Sequence, residues 1–213
     1  NEIPIFDGSA MSFVEAIKQA GIETQEAPRR YLKVLKPVRV SDGRAMGELL
    51  PYDAGFRIEV EIEFDHRLIG RQRYAATLSP DTFERELAPA RTFGFMADVA
   101  KLWSAGYALG ASLENTICLA DDRILNPTGL RFPDEFVRHK ALDAIGDLAL
   151  AGLPLLGRYH SVCGGHKLNA RVVSALMADR SAWTVIEPKR QRVRGHAELG
   201  VPVAVPAYRA DLS

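Results

Sequence analysis

Three side chains able to bind a metal or move a proton stand four residues apart in the stretch from Phe136 to Asp147: His139, Asp143 and Asp147. In an α-helix that spacing fans them over roughly 80° of one face, with Lys140 at its edge. Val137, Ala141, Ala144, Ile145 and Leu148 fall on the opposite side, so the helix is expected to be buried with its polar stripe turned inward. A buried imidazole and carboxylate need partners. A cation of the zinc type is one possibility, since a His and an Asp one turn apart can reach it together. The other is a histidine salt-bridged to a carboxylate in the core. One His and one Asp are too few ligands to decide.

His166 follows a glycine pair, Gly164-Gly165, at the expected start of another helix. A helix N-terminus favours anions, and a carboxylate such as Asp147 would hold a protonated imidazole ready to donate. A helix cap with a surface histidine accounts for the same residues. The glycine pair is only a weak phosphate-loop signal, without Walker or Rossmann spacing. Arg91-Thr92-Phe93-Gly94-Phe95 offers a hydroxyl that can steady a developing oxyanion and aromatic faces that can stack on a base or sugar. The same aromatics, and Phe64 with them, also suit a core.

The elements that would position these residues follow from period and punctuation. Ile3 to Phe6 reads as a short strand and Ser12 to Gln19 as a helix, with Ser12 and Glu15 at capping-box spacing and Gly21 as its stop. A polar connector, 23–30, precedes a change to period two: strands are expected at Tyr31 to Val40, Ala45 to Leu50, Phe56 to Asp65 and near Tyr74 to Leu78. In the third, Phe56, Ile58, Val60, Ile62 and Phe64 share a face opposite Arg57, Glu59, Glu61, Glu63 and Asp65, which predicts a half-buried strand with a wet outer side. Ser79 and Pro80 open a helix to Leu87. A helix near Met96 to Ser104 between short apolar runs suggests a small inserted crossover unit. Asn126-Pro127 and Pro133-Asp134 introduce the central helix, which Gly152 and Pro154 end. Leu156 to Val162 reads as a strand, residues 166 to about 177 as a helix, and Trp183 to Ile186 as a last strand. Lys189, Arg190, Arg192 and Arg194 then form a basic knot before a Pro-, Ala- and Val-rich tail.

Over 213 residues, 47% are apolar and 25% charged, with 27 basic against 27 acidic side chains. That balance gives no electrostatic reason to expect nucleic acid or an acidic membrane as partner. No apolar run is long enough to span a bilayer. The two distant cysteines, Cys118 and Cys163, make neither a disulfide framework nor a Cys-x-x-Cys site, so a reducing cytoplasm is expected. The chain opens on Asn1 without an initiator methionine, as expected of a fragment or a processed chain with part of the site upstream.

Five runs occur in order: Ile-Pro-Ile-Phe-Asp-Gly-Ser-Ala (3–10), Arg-Thr-Phe-Gly-Phe (91–95), Leu-Asn-Pro-x-Gly-Leu-Arg-Phe (125–132), Asp-Glu-Phe-Val-Arg-His-Lys-x-Leu-Asp-Ala-Ile-Gly-Asp-Leu (134–148) and Gly-His-x-Leu-Asn (165–169). Together, and up to about Glu187, they closely resemble LpxC, the family of zinc-dependent UDP-3-O-acyl-N-acetylglucosamine deacetylases of lipid A biosynthesis. The resemblance implies an α+β fold, a two-domain β-α-α-β sandwich in which each sheet carries helices packed between the two sheets. Residues 1–22 would end the first domain, 23–30 would link, 31–187 would form the second with its insert near 91–125, and 188–213 would be a tail. It implies zinc as cofactor, held by His139 and Asp143. It further implies that Asp147 and His166 form the charged pair at the leaving group, Thr92 the oxyanion hydroxyl and Lys140 a substrate contact, with Phe93, Phe95, Asp98 and Phe64 against sugar and uridine. The insert would form the acyl passage. The family's third ligand and general base lie in a His-x-x-Glu-His motif that is absent from these residues, and Cys163 stands where many members have a lysine. A first-domain segment, of the same polypeptide or of a separate chain, would then complete the enzyme. The alternative is a non-catalytic module that binds the nucleotide sugar and acyl chain.

Overall fold

The computed structural model describes residues 4–188, so the basic knot and the tail lie outside the described residues. The fold is mixed α+β. Seven strands form one sheet: β1 (Tyr31–Val34), β2 (Val38–Asp42), β3 (Ala45–Leu50), β4 (Phe56–Glu63), β5 (Arg71–Thr77), β8 (Leu155–Val162) and β9 (Trp183–Ile186). Strand β8 is its hub, paired parallel to β1 and β4 and antiparallel to β3. Helices α4 (Glu135–Leu148) and α5 (His166–Ala178) pack on the sheet and on each other. Ile58, Val60, Ile62, Leu49 and Tyr159 from the sheet meet Val137, Ala141, Leu148, Val172 and Leu176 from the helices in one core. Gly47 allows this close approach: a Cβ there would stand 2.8 Å from the Tyr159 hydroxyl and 2.9 Å from Val172 Cγ2.

Several expectations are corrected. The described part of the first expected strand, Pro4 to Phe6, is not a strand, and Asp7 and Gly8 turn the chain. Helix α1 (Met11–Ala20) starts before Ser12, which is therefore inside it, and Ser9 Oγ accepts from Met11 N at 3.2 Å. The single strand expected from Tyr31 to Val40 is two. Pro37 has no N–H for a ladder, and Leu35 N donates to Ala182 O at 2.8 Å, so β1 and β2 pair with different neighbours. After Ser79, whose hydroxyl accepts from Thr82 N at 3.0 Å, a single α turn, α2 (Pro80–Thr82), passes into a π turn over Phe83–Leu87. The insert matches expectation: β6 (Phe93–Phe95) and β7 (Ile117–Leu119) are parallel, and α3 (Met96–Ser104) lies between them in the chain.

The outer face of β4 is not simply wet. Glu59 is only 4% exposed. Its carboxylate accepts from Arg57 Nε at 2.7 Å and Arg158 Nη2 at 2.9 Å, with Arg73 at 3.5 Å. Burial pushes its pKa up, but the Arg57 hydrogen bond and the three guanidinium charges outweigh this and hold it below the ordinary 4.5. A carboxylate with a lowered folded-state pKa stabilises the fold above its unfolded value and loses that contribution as the pH falls through the folded one. Glu59→Gln should therefore lower stability at pH 7 by about 2 kcal/mol and flatten the loss of stability below pH 4.5. Urea unfolding across that pH range, followed by circular dichroism, checks both.

Candidate active site

Helix α4 begins under tension between charge and burial. Asp134 precedes it and accepts from Arg138 Nε at 2.6 Å, while Glu135, in the first turn, is fully buried. A carboxylate suits a helix N-terminus, but only a strong partner offsets its desolvation. Arg91 is that partner: its backbone N and Nε reach Glu135 Oε1 at 3.0 and 2.9 Å, and its Nη2 reaches Oε2 at 3.1 Å.

One turn later His139 is 9% exposed, and its Nδ1 lies 3.0 Å from Ala90 O. A carbonyl only accepts, so Nδ1 carries the proton. Burial holds the imidazole pKa below its ordinary 6.5, against the opposing pull of Asp143 and the Ala90 bond. Its Nε2 faces Asp143 Oδ1 at 3.4 Å, so that a proton or a cation can lie between them. An imidazole and a carboxylate are ligand types zinc prefers, and these residues fit one side of a metal site. Among the described residues, however, no group of three or more His, Cys, Asp or Glu is arranged to hold a metal.

The other Asp143 oxygen accepts from Lys140 Nζ at 3.2 Å and lies 3.8 Å from His166 Nε2. His166 opens α5, two-thirds exposed, with Nδ1 2.9 Å from Asp147 Oδ2. That same oxygen accepts from Asn169 Nδ2 at 2.9 Å, and Asn169 Oδ1 in turn accepts from the buried Tyr159 hydroxyl at 2.6 Å. Burial and the nearby Asp147 charge push the Tyr159 pKa up to about 12, so it remains a donor. The Tyr159 bond fixes which end of the Asn169 amide faces Asp147.

Beside this row Phe93 links α4 to the sheet. Its ring is 5.0 Å from Phe136, 5.7 Å from Phe64 and 6.5 Å from His139, and Lys140 Nζ sits 5.8 Å above it. Phe95 packs on Phe64 at 5.8 Å and on His66 at 5.4 Å. Phe64, Phe95, Asp65, His66, Asp98 and Asp121 line a cleft of about 320 Å³. His66 Nε2 donates to Ala120 O at 3.1 Å, tying the cleft to the end of β7. Thr92 is anchored through its backbone, N to Gly8 O at 2.9 Å and O from Ile117 N at 2.8 Å.

The structure thus gathers His139, Lys140, Asp143, Asp147 and His166 into one row, with Phe93 touching it and Phe64, Phe95 and Asp98 around the adjoining cleft. Thr92 stands two residues from the carbonyl that holds His139. Sequence reasoning missed Asn169, Tyr159, His66 and the Arg91–Glu135 pair. Asn169, three residues after His166 on one helix face, was detectable by period; His66, in the turn after β4, Tyr159 and the ion pair were not.

Fold and site define a mixed α+β protein whose helix pair carries a row of imidazoles and carboxylates beside an aromatic cleft. The profile of the family described as LpxC, UDP-3-O-acyl N-acetylglycosamine deacetylase, matches residues 1–178, and the chain belongs to that family. Proteins of Brucella ovis, Brucella canis and Brucella melitensis named UDP-3-O-acyl-N-acetylglucosamine deacetylase are each 55% identical to it over 187 residues, 87% of this chain. The chain spans 65% of the length of these relatives. Among the described residues no helix is long and apolar enough to cross a membrane.

Proposed function

We propose that this chain carries the greater part of a zinc-dependent deacetylase that hydrolyses the acetamide of UDP-3-O-acyl-N-acetylglucosamine to the free amine and acetate, a cytoplasmic step of lipid A biosynthesis. The observation that carries this reading is the buried His139, held through Nδ1 by Ala90 O at 3.0 Å with its Nε2 facing Asp143 at 3.4 Å. His139 and Asp143 would hold the zinc. The chemistry zinc supplies when bound is Lewis acidity toward the amide carbonyl and acidification of water to a pKa of about 7.

Each remaining role belongs to a side chain. Thr92 donates its hydroxyl to the oxyanion that forms as the carbonyl carbon is attacked. His166 in its protonated form, oriented through Nδ1 by Asp147, gives a proton from Nε2 to the departing amine nitrogen as the C–N bond breaks. Lys140 binds substrate oxygen atoms, and Phe64, Phe93, Phe95 and Asp98 bind the sugar and uridine. Leu102, Trp103, Tyr107 and Leu109 on and after α3 are exposed, as suits an insert (91–125) that receives an acyl chain. The proton of the attacking water goes to the glutamate of a His-x-x-Glu-His segment, which also supplies the third ligand. That segment belongs to a first domain ending at residues 1–22, joined by 23–30 to the second at 31–187, and it completes the sandwich from the same polypeptide or from a separate chain.

One other reading is a binding module without chemistry. Zinc content and deacetylation, measured on this chain alone and with a His-x-x-Glu-His segment supplied, separate the two. Stoichiometric zinc and turnover are expected only with that segment. No zinc and no turnover in either form would leave the binding module.

A further inference from the structure

Residues 90 to 92 meet helix α4 at two places one helical turn apart. Ala90 O receives His139 Nδ1 at 3.0 Å, and Arg91 engages Glu135 through its backbone N, Nε and Nη2. Arg91 Nη2 also donates to Gly129 O at 2.7 Å, and Glu135 Oε2 accepts from Arg131 N. The Arg91 and Glu135 side chains are 7% and 0% exposed. A buried ion pair is poor evidence for stability, because apolar residues of similar volume often replace one without loss. What a two-toothed guanidinium–carboxylate pair adds is fixed distance and angle. Arg91 is the covalent neighbour of both the carbonyl that sets the His139 tautomer and the Thr92 hydroxyl. The backbone bonds of Thr92 tie it to Gly8 and Ile117 rather than to α4.

We propose that Arg91 and Glu135 are positioning residues that lock Thr92 and His139 into one geometry, so that the oxyanion donor and the metal ligand act on the same carbonyl. This rests on the zinc-deacetylase reading. A displacement of about 1 Å at such a site is worth on the order of 100-fold in rate.

The test uses the zinc-loaded protein complete with its His-x-x-Glu-His segment. Wild type must bind zinc and turn over; if it does neither, the deacetylase reading has failed, and the clamp with it. Two variants are then compared: Arg91→Met/Glu135→Met, which removes both charges, and the isosteric Glu135→Gln. In those that fold, shown by an unchanged thermal midpoint and far-ultraviolet spectrum, kcat should fall at least about 10-fold while KM changes less than about 2-fold. Zinc affinity, from competition with a chelating dye, should weaken as the His139 ring loses its fixed orientation. On a Thr92→Val background the same substitutions should lower kcat by a clearly smaller factor, because one of the two groups they position is gone. Wild-type kcat in a folded variant, or an equal loss on both backgrounds, overturns the clamp while leaving the deacetylase reading intact. Failure of both variants to fold also overturns it, since the pair would then be a folding element.

Discussion

On the proposed zinc-deacetylase reading, Asp143→Asn should strip the zinc from the completed enzyme and with it the turnover, lowering kcat/KM on the order of 1,000-fold. The substitution conserves volume, so the core of α4 is undisturbed. What changes is the charge facing His139 Nε2, 3.4 Å away. An amide keeps the shape of the carboxylate but not the negative charge that a cation needs. The zinc-dependent stabilisation of the fold should disappear in the variant. Thermal melts with and without a chelator, beside zinc analysis by atomic absorption, read both effects. A variant that keeps stoichiometric zinc would remove Asp143 from the ligand set.

The row on α4 was legible in the sequence because two patterns agreed there: His139, Asp143 and Asp147 recur every four residues, and Val137, Ala141, Ala144 and Leu148 are buried on the other side. Strands β3 and β9 and helix α3 were equally plain, since each is bounded by turn residues and short enough to have one period. Legibility failed where a partner from far along the chain decides the outcome. Glu59 reads as a solvated carboxylate on the outer face of a strand, and its burial depends in part on Arg158, 99 residues away. Tyr159 alternates correctly as a core residue, but its hydroxyl matters only because α5 folds back and places Asn169 over it. The break at Pro37 carried its own signal, which the strong period of the flanking residues obscured. In the site itself, residues sharing one helix could be grouped from spacing, whereas the cleft needed β4, β6 and the start of α3 together.

His166→Ala should lower kcat by about 100- to 10,000-fold with little change in KM and none in zinc content. The argument runs through the orientation of the ring. Its Nδ1 is held 2.9 Å from Asp147, whose same oxygen is also bound by Asn169, itself fixed by Tyr159. That chain leaves Nε2 on the exposed side of the ring, 3.8 Å from Asp143, as the one nitrogen free to serve a substrate. His139 and Asp143 do not depend on it, so metal binding and chemistry separate in this variant as they cannot in Asp143→Asn. Asp147→Asn tests the same chain one link further back. An amide in place of the carboxylate can still accept from Nδ1, but it neither stabilises a charged imidazole nor accepts as well from Asn169, so the expected loss is smaller, about 10- to 100-fold. A surface histidine that only begins a helix would change kcat less than about 2-fold on conversion to alanine, so parallel measurement of kcat and bound zinc in the two variants decides whether the proton comes from His166.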